Sequence, residues 1–137
     1  MRHTRASQRL LAWQLSDQLR SGVRKLTRGE ALDGDYKLRG QLEDAAGEAV
    51  HSIEKALATD HDGEFARFVR IARSAVSDLQ AGLRIALMKK RVSQRDFSEA
   101  QELCSRLYPA LASLLVQSTS HYHERPIAPT AKPPRTY

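Results

Sequence analysis

The sequence predicts an all-α protein, an antiparallel up-and-down four-helix bundle followed by a disordered, Pro-rich C-terminal tail. Four long stretches repeat apolar residues at helical spacing, and strand signals are lacking, because β-branched and aromatic residues are sparse and never alternate for long. The length of 137 residues suits one domain, and such a domain buries roughly two thirds of the surface its unfolded chain exposes. Short links between the stretches favour antiparallel neighbours. The bundle is expected in residues 1–121 and the flexible tail in residues 122–137.

The first helix is expected over residues 7–27, where Leu11, Ala12, Leu15, Leu19, Gly22 and Leu26 share a face; it stops in residues 28–34, which hold two glycines. The second, over residues 35–58, buries Leu38, Leu42, Ala45, Ala46, Ala49, Ile53 and Ala56. Its alanine-rich stripe lets a neighbouring helix approach closely. After a short loop at residues 59–63, the third helix runs to about residue 90 with Phe65, Phe68, Ala72, Ala75, Leu79, Leu83 and Ala86 inward, and Arg70, Arg73, Gln80 and Arg84 opposite. Ser93 with Asp96 resembles a capping box opening the fourth helix, which carries Phe97, Ala100, Leu103, Cys104, Leu107, Leu111, Leu114 and Leu115. Pro109 is expected to kink or divide that helix near Leu107. From Glu124 the run ERPIAPTAKPPRTY has no apolar period and adds nothing to the core.

Apolar residues exceed what one packing stripe needs. Val69, Val76 and Leu87 lie on one flank of the third helix and Ile71 and Ile85 on the other, while Leu10 and Trp13 point nearly opposite Leu15. Either Trp13 folds over the bundle edge, or these residues meet another subunit. Asp44, Glu48 and His51 form an acidic outer stripe of the second helix, against the arginine stripe of the third. Two different patches make a heterologous contact, which closes into a ring or runs on as a filament. The expected product is a ring-shaped homo-oligomer joined through Leu10, Trp13, Asp44, Glu48, Val69, Arg73 and Val76.

The formal charge is +6 and the isoelectric point near 9.8. Residues 1–30 carry seven basic against two acidic side chains, residues 31–62 three against eight, residues 63–95 eight against two, and the remainder four against four. The candidate nucleic-acid contacts are Arg24, Lys25 and Arg28, then Arg70, Arg73 and Arg84, then Lys89, Lys90 and Arg91, with Arg20 beside the first group. Basic residues are also favoured at helix C-termini by the helix dipole, and the arginine stripe has the acidic stripe as an alternative partner. Both readings stay open: a scaffold binding RNA or a nucleic-acid-binding protein, and a pure protein-interaction scaffold.

Catalytic constellations are lacking. Glu48-x-x-His51 imitates half of a di-iron site, but there is only one such pair, and the third helix offers no inward carboxylate. His121 and His123 lack further ligands, Cys104 sits at a core-like position, and no phosphate-cradling glycine loop occurs. A non-enzymatic protein without metal or cofactor is expected. One cysteine excludes an intramolecular disulfide, and no apolar segment marks a signal peptide or a membrane span, so the cytoplasmic compartment is expected.

Gln41, Leu42, Ala45, Ala46 and Ile53, followed by Phe65, Arg67, Phe68, Ile71, Ala72, Ser77, Leu79, Leu83, Ile85 and Ala86, carry a family resemblance, and Trp13-Gln14 fits it. Over roughly residues 8–117 the chain resembles the bacterial four-helix-bundle proteins encoded in intervening sequences of 23S ribosomal RNA genes. Its most specific part is the F-x-R-F-x-x-I-A run beginning at Phe65. The resemblance implies an up-and-down bundle assembling as a homopentamer, without established enzymatic activity. A related branch, the accessory proteins of diversity-generating retroelements, is basic, pentameric and binds a reverse transcriptase and nucleic acid; this chain is less similar to it. After Ala46 the chain departs from the family pattern, with EAVHSIEKA at residues 48–56 in place of S-I-P-S-N-I-A-E-G.

Overall fold

Every amphipathic stretch forms an α-helix in the structure, a computed structural model that describes the backbone of residues 5–124 and the side chains of residues 5–117. The helices are α1 (Arg5–Arg28), α2 (Tyr36–Ala58), α3 (Asp62–Met88) and α4 (Gln94–Glu124), and no strand occurs among the described residues. Each helix packs against two neighbours, in the cyclic order α1, α2, α3, α4. The directions alternate: α1 begins where α4 ends, with Gln117 donating to Gln8. At the opposite end the α1–α2 and α3–α4 links meet, and Arg91 Nη1 donates to the carbonyls of Ala31 at 3.3 Å and Asp33 at 3.2 Å.

The helix boundaries have local causes. Asp35 caps α2 by accepting from the Leu38 amide at 3.2 Å, and Ser93 caps α4 by accepting from the Asp96 amide at 3.0 Å. Asp62 and Glu64 occupy the first turn of α3, where the helix dipole favours anions, so this helix starts before the expected loop has ended. It closes in a Schellman arrangement: Arg91 N–H donates to Ala86 O at 2.8 Å and Lys90 N–H to Leu87 O at 2.9 Å. Lys90 takes a positive φ of 60° to do so.

The core is aliphatic. Leu15, Leu19, Leu38, Leu42, Ile53, Leu79, Leu83, Leu107, Leu111 and Leu114 are its largest expected members. Leu32 is also fully buried, from a 3₁₀ turn over Glu30–Leu32 inside what the sequence suggested was only a glycine-rich stop. At Gly82 α3 packs tightly on α2, where an added Cβ would lie 2.9 Å from Leu42 Cδ2. At Gly22 a Cβ would meet nothing within 4 Å, so close packing does not require that glycine.

Three expectations change. Val69 and Val76 are not on an outer flank: they are 1% and 0% exposed and belong to the core, so neither can contribute to a subunit interface as expected. The wide apolar arc of α3 arises because both α2 and α4 pack against it. Phe65 and Phe68 are only partly buried, at the edge of the core, with Arg9 above the Phe65 ring and Arg67 and Lys55 above that of Phe68. Finally, α4 runs undivided through Pro109, which is exposed, as is Ser105, whose carbonyl the proline cannot serve. That helix passes the expected end of the bundle and reaches Glu124, and the rest of the expected tail, residues 125–137, lies outside the described residues.

Candidate functional site

Two concave surfaces flank α3, and a basic end caps the bundle. The first is a groove of about 610 Å³ between α2 and α3. Its lining includes Ala45, Ala75 and Gly82, the exposed or half-buried Ile71 and Ile85, and the carboxylates of Asp44, Glu48 and Asp78. Small residues make the floor low because the helices approach closely beneath it. None of the three carboxylates has a basic partner within 4 Å among the described residues. Asp78 was not anticipated, although residues 71, 74, 75, 78, 81, 82 and 85 follow helical spacing and form one strip.

On the other side of α3, a concavity of about 320 Å³ is lined by Arg70, Arg73, Ser74, Ser77 and Tyr108. Arg73 Nη2 donates to the Tyr108 hydroxyl at 3.0 Å, and the guanidinium lies 4.9 Å from the centre of that ring. Tyr108 was missed, since no feature within α4 reveals which residue of α3 lies opposite. Arg84 joins neither concavity: it is exposed, and eleven residues of helix place it about 16 Å along the axis from Arg73.

Towards the bundle end Lys25 shares a concavity with Asp96 and Glu99 of α4, and Arg24 one with Glu43 of α2, and the basic residues there are not equivalent. Lys89 Nζ pairs with Asp35 at 3.1 Å, and Arg91 is spent on the Ala31 and Asp33 carbonyls. The Lys89 hydrogen bond, followed by the Leu38 amide, holds the Asp35 carboxyl below its ordinary pKa. Arg24, Lys25, Arg28 and Lys90 are exposed and have no acidic partner within 4 Å among the described residues. Leu10 and Trp13, 54% and 37% exposed, lie on the outer side of α1.

Glu48 and His51 are both exposed on α2, away from the core. Cys104 is fully buried, and desolvation pushes its thiol up to about 12, far from the thiolate a nucleophile requires. No described helix is long and apolar enough to cross a membrane.

Comparison with known proteins agrees with this architecture. The family described as 23S rRNA-intervening sequence protein matches residues 8–113. A crystal structure from Bacteroides thetaiotaomicron VPI-5482, a protein of unknown function from the S23 ribosomal protein family, superposes with a TM-score of 0.72 at 11% identity. The superposition covers 83% of this chain and 99% of that one. No curated protein matches the chain.

Proposed function

The chain belongs to the 23S rRNA-intervening sequence protein family, and from that premise we propose that it is a non-enzymatic, cytoplasmic homo-oligomeric scaffold, a ring that is pentameric by the family likeness and binds RNA through its basic end. The observation that carries the reading is the α2–α3 groove, with an apolar floor and three carboxylates that have no basic partner within 4 Å among the described residues. An apolar and basic face fits such a groove. The outer side of α1 offers one, in which Leu10 and Trp13 are followed by the Asp17–Arg20 ion pair and then by Arg24 and Arg28. From residue 10 to 24 and from residue 71 to 85 the helices each advance about 21 Å, so the two strips match in length. Groove and strip are different surfaces, as a closed ring requires.

Repetition around a ring supports RNA binding by avidity, because each subunit adds Lys25 and Lys90, which lie outside the docking strip, without needing a strong single site. Light scattering on the 15.4 kDa chain tests the assembly: oligomers are expected for the wild type, smaller species for Asp78→Lys with Asp44→Lys, and a wild-type monomer at micromolar concentration refutes the ring. RNA retention across a salt series tests the basic end. Lys25→Gln with Lys90→Gln should weaken it and flatten its salt dependence, and undiminished binding rejects that surface. The alternative, a pure protein-interaction scaffold, is favoured by the local use of Lys89 and Arg91. It predicts negligible wild-type RNA affinity at physiological salt.

A further inference from the structure

We propose that the concavity between α3 and α4 is a phosphate-binding seat, formed by Arg70, Arg73, Ser74, Ser77 and Tyr108 and distinct from the basic end of the bundle. Its lining holds two guanidinium groups and three hydroxyls and no carboxylate. That donor set is the one that recurs on phosphate oxygens, where arginine forks and Ser and Tyr hydroxyls supply most contacts.

Arg73 is positioned in advance. The Tyr108 hydroxyl accepts from its Nη2 at 3.0 Å, and the guanidinium carbon lies 4.9 Å from the centre of the ring. Having accepted from Arg73, the Tyr108 hydroxyl keeps its own proton to donate. Arg73 Nε is buried and has no hydrogen-bond partner. Leaving a buried donor unmet is unfavourable, so the Arg73 side chain gains by turning Nε towards a ligand oxygen in the concavity. Arg70 stands about one turn earlier on the same helix, exposed and without an acidic partner within 4 Å among the described residues, so it can close over the ligand from the solvent side.

A strut joining α3 to α4 would account for the contact between Arg73 and Tyr108. It leaves the unmet Nε, Arg70, both serines and the concavity without a role. A carboxylate offers two acceptor oxygens in one plane, whereas a phosphate group sets its oxygens tetrahedrally, three of them free in a monoester and two in a diester, an array that suits donors arriving from two helices. The phosphate has two sources, the backbone of an RNA strand or a free phosphorylated small molecule. In the first case the seat deepens the RNA reading above, but it does not depend on the residues of the bundle end.

Equilibrium dialysis of the full chain with inorganic phosphate, AMP and a ten-nucleotide RNA tests the seat. Arg73→Lys keeps the charge but removes Nε and the fork, and it should weaken phosphate and AMP binding at least tenfold; Arg70→Gln and Tyr108→Phe should each weaken it several-fold. Arg70 is exposed, so an unchanged melting temperature for Arg70→Gln separates lost binding from lost folding. The variant with Lys25→Gln and Lys90→Gln should bind AMP like the wild type, whatever happens to its RNA retention. Displacement of AMP by the RNA assigns the seat to a strand, and AMP binding without displacement assigns it to a small molecule. Absence of phosphate and AMP binding to the wild type at millimolar concentration overturns the proposal, as does binding indifferent to both Arg73→Lys and Arg70→Gln.

Discussion

Replacing Lys90 with Gly should stabilise the protein while removing one of its few unpaired charges at the bundle end. Lys90 holds the left-handed position that closes α3, with φ of 60°, and its amide donates to Leu87 O at 2.9 Å. A side chain in that region costs about 1–2 kcal/mol, because Cβ crowds the following carbonyl. Glycine removes this cost but returns about 0.4–1 kcal/mol through the greater freedom of its unfolded chain. The expected net gain is about 0.5–1 kcal/mol, a rise of about 2–4 °C in Tm for a domain of this size. Lys90 is exposed and makes no ion pair among the described residues, so no folded-state contact offsets the gain. Scanning calorimetry at fixed protein concentration measures the shift, with Lys90→Ala as the control that keeps the Cβ and should gain nothing. A lower Tm for Lys90→Gly, or equal Tm values for the two variants, refutes the strain argument. If the basic end binds RNA, the same glycine lowers the slope of log affinity against log salt by about one.

The two helical glycines Gly22 and Gly82 should respond in opposite directions. Gly22→Ala meets open space and should gain about 0.5–1 kcal/mol of helix propensity, whereas Gly82→Ala must displace the buried Leu42 methyl 2.9 Å away and should lose about 1–2 kcal/mol net in thermal melts; equal shifts would contradict the described contact between α2 and α3. Asp35 predicts a pH dependence: its folded pKa is lowered by Lys89 and the Leu38 amide, so its contribution is present above the unfolded value near 3.9 and is lost as pH falls through the lower folded value. The Tm gap between wild type and Asp35→Asn should therefore be full at neutral pH and close in strong acid, and a gap that persists at pH 2 would exclude the ionised pair as its cause.

The bundle was legible because helical periodicity reports burial directly: Leu15, Leu19, Leu38, Leu42, Leu79, Leu83 and Leu107 all lie where their spacing puts them. The Ser93 cap was legible too, since it acts through the amide three residues away, whereas Asp35, expected inside the second helix, is its N-cap. What failed was anything that depends on a second helix. Projection places Val69 and Val76 beside the main stripe of α3, but whether a flank faces solvent depends on how many neighbours pack there, and α3 has two. The same limit hid Tyr108, which meets Arg73 across 35 positions of sequence, and it joined Arg84 to Arg73 although their surroundings differ. Leu32 escaped because a three-residue turn is too short to display a period.

The charge pattern of α3 gains meaning from what lies on its two sides. Ser74 lines both concavities, so the carboxylates of the α2–α3 groove and the guanidinium groups beside Tyr108 are separated only by the crest of one helix. Five residues of helix place Asp78 about 7.5 Å along the axis from Arg73, comparable with the screening length of about 8 Å at physiological salt, so uncovered carboxylates weaken the attraction of the concavity for an anion. A basic strip from a neighbouring subunit laid in the groove would neutralise Asp44, Glu48 and Asp78 and thereby strengthen phosphate binding across the crest. Coupling of this kind is reciprocal: a phosphate in the seat would favour the neighbour's docking by the same factor. On the two proposals taken together, assembly and anion binding are therefore linked through α3, and the ring would hold phosphate more tightly than its dissociated subunits.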